Sequence, residues 1–123
     1  MIGITQGDVL PPNIPANLST VKTRSNILIS WDATGGDTAG YRIYRSINTN
    51  SWTNFTAYYT NIFSTTLTDE NTGIGTNYYY FVTSYDSASP YLNESWWSSS
   101  VLGYVLELPI IIQTNYTNNQ IVS

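Results

Sequence analysis

Six carboxylates, Asp32, Asp37, Asp69, Glu70, Asp86 and Glu94, are the side chains of this sequence best suited to acid–base chemistry. A suitably spaced pair of carboxylates can cleave a glycosidic bond, but no motif here pairs them. Asp32, Asp69 and Asp86 each fall where a β-forming run gives way to a turn, the place where an aspartate accepts backbone N–H groups. The sequence therefore assigns them turn chemistry rather than catalysis. Asp69-Glu70 has the oxygen ligands calcium takes, yet no loop carries the alternating acids of an EF-hand, and a solvated surface pair is expected. The chain has no histidine and no cysteine, which removes Ser-His-Asp and Cys-His nucleophiles, zinc sites built on thiolate or imidazole, haem ligation and iron–sulfur clusters. No catalytic residue, metal or cofactor is expected, and the chain reads as a non-enzyme.

Two other kinds of side chain carry chemistry. Asn17-Leu-Ser19, Asn54-Phe-Thr56, Asn93-Glu-Ser95 and Asn115-Tyr-Thr117 fit the N-glycosylation acceptor pattern, making Asn17, Asn54, Asn93 and Asn115 candidates. With 13 Asn, 14 Ser and 17 Thr in the chain, several such matches arise by chance. Trp52, Trp96 and Trp97 are the second kind, because exposed tryptophans anchor protein interfaces or sugar rings. A loop folded back over the edge of the domain is the alternative for at least one of them.

The 123 residues suffice for one domain with its own core. Only 10% are charged, against roughly 25% in an ordinary soluble domain, so the surface rests on Asn, Ser, Thr and 11 tyrosines. A net charge of −4, with Lys22, Arg24, Arg42 and Arg45 the only cations, leaves no basic face for a run of phosphates, and nucleic acid is not an expected partner. The longest apolar run, Pro109 to Ile112, is far short of the roughly 18 residues of a membrane span. Met1 to Asp8 shows no export signal.

These groups must be held by strands, since no window keeps apolar residues at helical spacing for three turns. Short β-branched and aromatic runs recur between Gly, Asn, Asp and Ser clusters, predicting strands over 16–21, 26–32, 40–45, 55–60, 64–68, 77–86 and 99–106. Seven strands is the number of an immunoglobulin-like sandwich. In the second, Ile27, Ile29 and Trp31 share the face expected to meet the core. In the sixth, Tyr78, Tyr80, Val82 and Ser84 alternate with Tyr79, Phe81, Thr83 and Tyr85, so both faces are largely aromatic or apolar. Gly35 and Gly36 mark a loop able to take positive φ.

Ile27-Leu-Ile-Ser-Trp-Asp-Ala33, Gly40-Tyr-Arg-Ile-Tyr-Arg-Ser46, Asp69 ahead of Gly75-Thr-Asn-Tyr-Tyr-Tyr-Phe-Val-Thr-Ser-Tyr-Asp86, and Glu94-Ser95 with Ser98 and Val101 resemble the successive motifs of fibronectin type III domains. The resemblance covers about Pro12 to Val105. It implies an all-β, seven-stranded antiparallel sandwich over residues 12–106, with an N-terminal extension at 1–11 and a C-terminal β-prone extension at 107–123. It also implies a tyrosine corner at Tyr78 and, at Thr72, a departure from the usual core leucine that Ile74 is expected to fill. Trp31, Tyr41, Ile43, Tyr78, Tyr80 and Val82 are expected in the core. On the reverse face Arg42, Tyr44, Tyr79, Phe81 and Tyr85 form one sheet surface, either paired among themselves on a partly wet sheet or acting as a contact face.

The resemblance implies a structural, spacing or binding module. Ile110, Ile111 and Ile112 are strongly β-forming and need cover, from the chain's own sheet or from a neighbouring subunit. The expectation is a non-enzymatic assembly subunit of a virus particle or cell-surface filament, facing the outside. Its partners are other copies of itself or other structural proteins of the same assembly, with glycans a further partner class. A carbohydrate-binding or adhesive module is the alternative.

Overall fold

The computed structural model of the protein describes residues 10–89 and 91–107. Seven strands run in the order β1 (Ser19–Lys22), β2 (Ile27–Ser30), β3 (Gly40–Ile47), β4 (Thr56–Ile62), β5 (Thr66–Asp69), β6 (Tyr78–Tyr85) and β7 (Val101–Gly103), with a 3-10 turn at Trp52–Asn54 between β3 and β4. They form two antiparallel sheets, β1-β2-β5 and β4-β3-β6-β7. The all-β, seven-stranded sandwich implied by the fibronectin type III resemblance is thus the observed architecture.

Register follows alternation. Ile43 pairs with Val82 and Tyr41 with Ser84 across β3 and β6, so each inward residue of one strand lies beside an inward residue of the next. Ile27, Ile29, Trp31, Tyr41, Ile43, Ile62, Tyr78, Tyr80 and Val82 are buried together, with Leu18, Tyr59 and Leu67 packed against them. Trp31 and Tyr41 meet edge to face at 5.4 Å, an arrangement aromatic quadrupoles favour. The tyrosine corner is present: the Gly73 N–H donates to the Tyr78 hydroxyl at 2.8 Å. Gly35 and Gly36 take positive φ, 65° and 58°.

Three expectations are corrected. The first strand begins at Ser19 rather than 16, because Asn17 sits at φ 57° and spends its side-chain amide on Asp32 Oδ2 at 2.6 Å. Ile74 does not fill the space of the missing leucine; it is 61% exposed, and the buried Thr72 hydroxyl has no hydrogen-bond partner among the described residues. The last strand covers Val101–Gly103 rather than 99–106, since the residues before it pair with β6 partly through serine hydroxyls, as described next.

Candidate functional site

Outward positions of β3 and β6 carry the second aromatic layer. Tyr44 and Phe81 are opposite one another and stack at 4.7 Å with an interplanar angle of 16°. Trp97 stacks on Phe81 at 4.5 Å and 21°, Phe55 leans on it at 4.8 Å, and Trp52 meets Trp97 at 5.8 Å and 40°. Two local features bring the tryptophans here. Trp52 opens the 3-10 turn. Trp97 lies in a stretch fastened to β6 at both sides: the Ser84 N–H donates to Ser95 Oγ at 3.0 Å and the Val82 N–H to Ser98 Oγ at 2.9 Å, while the Ser95 and Ser98 N–H groups donate back to the carbonyls of Ser84 and Val82. Serine side chains here stand in for ladder carbonyls, which interrupts the strand and swings Trp96 and Trp97 out of it.

Two of the residues named as contact candidates on the reverse face are buried within the chain. Phe81 is 3% exposed and Tyr85 is 6% exposed. Phe81 is covered by its ring neighbours. Tyr85 lies against the guanidinium of Arg42, 5.1 Å away, donates to Asn61 Oδ1 at 3.2 Å, and crosses Gly40, where an added Cβ would come within 2.7 Å of its ring. Arg42, Tyr44 and Tyr79 are half-buried. Cross-strand aromatic and cation–π pairing is therefore what the face does within the chain, and what it presents outward is Trp97, 40% exposed, and Trp52, 66% exposed. Trp96 is 77% exposed and makes no ring stack with this layer among the described residues. Trp97 also walls an open groove of about 460 Å³ with Ile14, Asn17, Leu18, Ser98 and Ser99.

Glu94 closes the layer on its polar side. Its carboxylate accepts from Arg42 Nη1 at 2.7 Å, from the Tyr44 hydroxyl at 2.5 Å, and from the Thr83 hydroxyl. Burial and the hydrogen bond to Glu94 push the Tyr44 phenol above its ordinary range.

A second polar cluster lies at one end of the inner core. Asp69, expected on the surface, is completely buried. It accepts from Arg45 Nη1 at 2.9 Å, the Tyr58 hydroxyl at 2.7 Å, the Tyr80 hydroxyl at 2.6 Å and the Asn71 N–H at 3.0 Å. The last of these is the expected turn chemistry. Asp86 likewise accepts the N–H groups of Ala88 and Asn93, at 3.1 and 2.8 Å. Arg45 is an inward residue of β3 whose guanidinium lies 3.8 Å from the Tyr58 ring centre and 4.9 Å from that of Tyr78. Burial works against its charge, but the hydrogen bond and charge of Asp69 outweigh that and strengthen its hold on the proton. The signal in the sequence was an arginine at an alternation position that should face the core.

Burial, reinforced by the hydrogen bonds to Asp69, pushes the phenols of Tyr58 and Tyr80 well above the ordinary tyrosine range. The unfolded chain loses these protons near pH 10, while the folded chain keeps them, so unfolding releases protons above that pH. Stability is thus fully present below about pH 10 and falls as pH rises, by up to roughly 1.4 kcal/mol per unit for the buried Tyr80 and by less for the wetter Tyr58. Urea midpoints measured between about pH 9 and 11 should fall in this way. The Tyr58→Phe, Tyr80→Phe double variant should flatten the slope, and an unaltered slope would contradict the assignment.

The acceptor asparagines separate by environment. Asn93 is half-buried and donates from Nδ2 to Asp86 Oδ2 at 2.9 Å, and Asn17 is tied to Asp32. Asn54 is exposed. Asn115, Ile110, Ile111 and Ile112 lie outside the described residues, and no helix among those described is long and apolar enough to cross a membrane.

No protein-family model matches the chain, and no curated protein matches it in sequence. Among solved structures it is similar to a Fn3-like protein from Clostridium thermocellum, with TM-score 0.65 and 29% identity over 80% of this chain and 98% of that one. A human FNIII domain is similar at TM-score 0.61 and 19% identity, over 88% of this chain and 93% of the other. A β-1,2-glucanase from Parabacteroides distasonis is similar at TM-score 0.61 and 25% identity over 82% of this chain, which spans 14% of the enzyme. The sheet orders β1-β2-β5 and β4-β3-β6-β7, the corner at Tyr78 and these likenesses agree: the chain has the fibronectin type III fold.

Proposed function

We propose that the protein is a non-catalytic structural module, an assembly subunit of a virus particle or cell-surface filament, that meets its neighbours through the outer face of the β4-β3-β6-β7 sheet. The observation that carries this reading is the seating of Trp97. Its ring is fixed against buried Phe81 by the stack and by the serine-fastened backbone on either side, yet it is 40% exposed. A rigid, half-covered aromatic loses little conformational freedom when a partner covers the rest, which is the property of an interface anchor. Arg42 and Glu94 neutralise one another on this face at 2.7 Å, so covering it strands no lone charge among the described residues. Asp69, Asp86 and Glu94 serve turns and ion pairs and Asp32 accepts the Asn17 amide, which supports a role without catalysis. Segments 1–11 and 107–123, with Ile110, Ile111 and Ile112, are further contacts in this reading.

Sedimentation of the full-length protein at increasing concentration tests it. Self-association is expected, and Trp97→Ala should weaken it while leaving the far-UV dichroism of the fold. A protein that stays monomeric at high concentration, with both ends resistant to protease, overturns the reading.

The likeness to part of a β-1,2-glucanase and the exposed Trp52–Trp97 pair favour a second reading, a carbohydrate-binding accessory module. Saturable binding of the isolated domain on a glycan array, lost in Trp97→Ala, would select it over assembly.

A further inference from the structure

We propose that Asn54 is the N-glycan acceptor of this domain and that Trp52, two residues earlier in the same turn, receives the first sugar of that glycan on its exposed ring. Three acceptor patterns lie within the described residues, and the folded state treats them differently. The Asn93 amide donates to Asp86 in a half-buried loop, so a sugar on that nitrogen has to be fitted beside the contact. Asn17 is exposed but donates at 2.6 Å to Asp32, the bond that joins the lead-in of β1 to the end of β2, and a sugar there shares its nitrogen with that bond. In both, the single N–H left after glycosylation must keep the carboxylate contact. At Asn54 the backbone N–H is satisfied by the Ser51 carbonyl at 2.9 Å, the side-chain amide has no hydrogen bond among the described residues, and Asn54, Thr53 and Thr56 are all exposed. A glycan there breaks nothing in the fold.

The turn itself supplies a platform. The Phe55 N–H donates to the Trp52 carbonyl at 3.4 Å, closing a turn with Trp52 first and Asn54 third. Trp52 is 66% exposed and braced on one side by Trp97. An indole ring held this way offers a face to the C–H groups of a pyranose. Beside it, an open groove of about 490 Å³ is lined by Thr49, Thr53, Asn54, Thr56 and Tyr58, which gives the next sugars hydroxyl partners. Thr56 supplies the hydroxyl that the acceptor pattern needs at its third position.

In the modification, Asn54 Nδ2 attacks the anomeric carbon of a lipid pyrophosphate-linked oligosaccharide. The N–C1 bond forms, the C1–O bond breaks, the lipid pyrophosphate leaves with that electron pair, and the amide gives up one proton. The inference does not require the assembly reading, because it rests on the Trp52 to Thr56 turn, its groove and the Trp97 brace, although a glycan on Trp52 covers part of the face which that reading offers to neighbours.

The test is secretion of the full-length chain from a yeast host behind a cleavable leader, in an Asn115→Gln background so that mass changes report the described acceptors. Glycopeptide mapping should place one glycan on Asn54 of the folded product, absent in Asn54→Gln and in Thr56→Ala. Trp52→Ala should lower occupancy several-fold and abolish the few-degree rise in Tm that the glycan confers over enzymatically deglycosylated protein, whereas Trp52→Phe should retain both. A folded, secreted product bare at Asn54, or glycosylated at Asn17 or Asn93 instead, overturns the assignment. Equal occupancy and equal Tm gain in Trp52→Ala and the parent overturn the role of Trp52.

Discussion

Replacing Asp69 with alanine should destabilise the protein by about 3 to 5 kcal/mol, the cost of stranding one half of a buried ion pair. Asp69 is fully buried, and its partner Arg45 is 13% exposed at the side chain. Four donors converge on the carboxylate: one guanidinium nitrogen, two phenols and one backbone N–H. Alanine removes all four acceptor contacts and leaves a guanidinium among the rings of Tyr58 and Tyr78 with no counter-charge. Asn71 loses the bond that shapes the turn after β5. Urea denaturation followed by tryptophan fluorescence measures the loss. Two companions separate charge from shape: Asp69→Asn keeps the volume and part of the hydrogen bonding and should fall between parent and alanine, and Arg45→Met combined with Asp69→Leu should regain only the part due to the stranded charge, because the Tyr58 and Tyr80 hydroxyls and the Asn71 N–H still lose their acceptor. A loss below about 1 kcal/mol in Asp69→Ala would mean that the cluster is wet and the ion pair screened.

Phe81→Ala should cost about 3 to 5 kcal/mol as well, although Phe81 is on the face that alternation turns away from the sandwich core. Three rings lie within 4.8 Å of its centroid, those of Tyr44, Phe55 and Trp97. Truncation opens a cavity between a sheet and a loop, and Trp97 loses the surface on which it is seated. The comparison is Trp96→Ala, one residue along and 77% exposed, which should change stability by less than about 0.5 kcal/mol. Equal effects in the two variants, measured by the same denaturation, would show that the outer aromatic layer is a solvated decoration. A large loss for Phe81 together with a blue-shifted fluorescence in the parent that reddens in the variant would show a packed second layer with Trp97 as its lid.

The inner sheet face was open to reading because its period is 2 and its residues are unambiguous. Ile27 and Ile29 on β2, Trp31 just past its end, and Tyr78, Tyr80 and Val82 on β6 all stand where alternation puts them. The tyrosine corner was legible through Tyr78, although its partner, the Gly73 N–H, belongs to a loop that carries no periodicity. Arg45 and Asp69 were harder. Alternation turns Arg45 toward the core, but Asp69 looks like an ordinary turn residue and the two are 24 positions apart, so nothing local indicates that burial makes each the other's counter-ion. Ile74 failed for a related reason: apolar character favours burial, but a loop's path is set by turns and hydrogen bonds, and here it leaves the side chain in water.

By itself the sequence determined the all-β class, the approximate places of seven strands, the core face and the exclusion of thiol and imidazole chemistry, because side-chain period and residue type are properties of the chain alone. Tertiary structure decided which aromatic residues are surface. Phe81 and Tyr85 share their parity with Tyr79, yet Phe81 is sealed by rings from the 3-10 turn region and from the serine-fastened loop, and Tyr85 by Arg42, Asn61 and the bare Cα of Gly40. It likewise decided which candidate acceptor amide among the described residues has no side-chain partner, since those of Asn17 and Asn93 donate to aspartates 15 and 7 residues away. The physical reason is common to both: a strand's alternation says which side of a sheet a residue faces, whereas exposure depends on what the rest of the chain lays over that side.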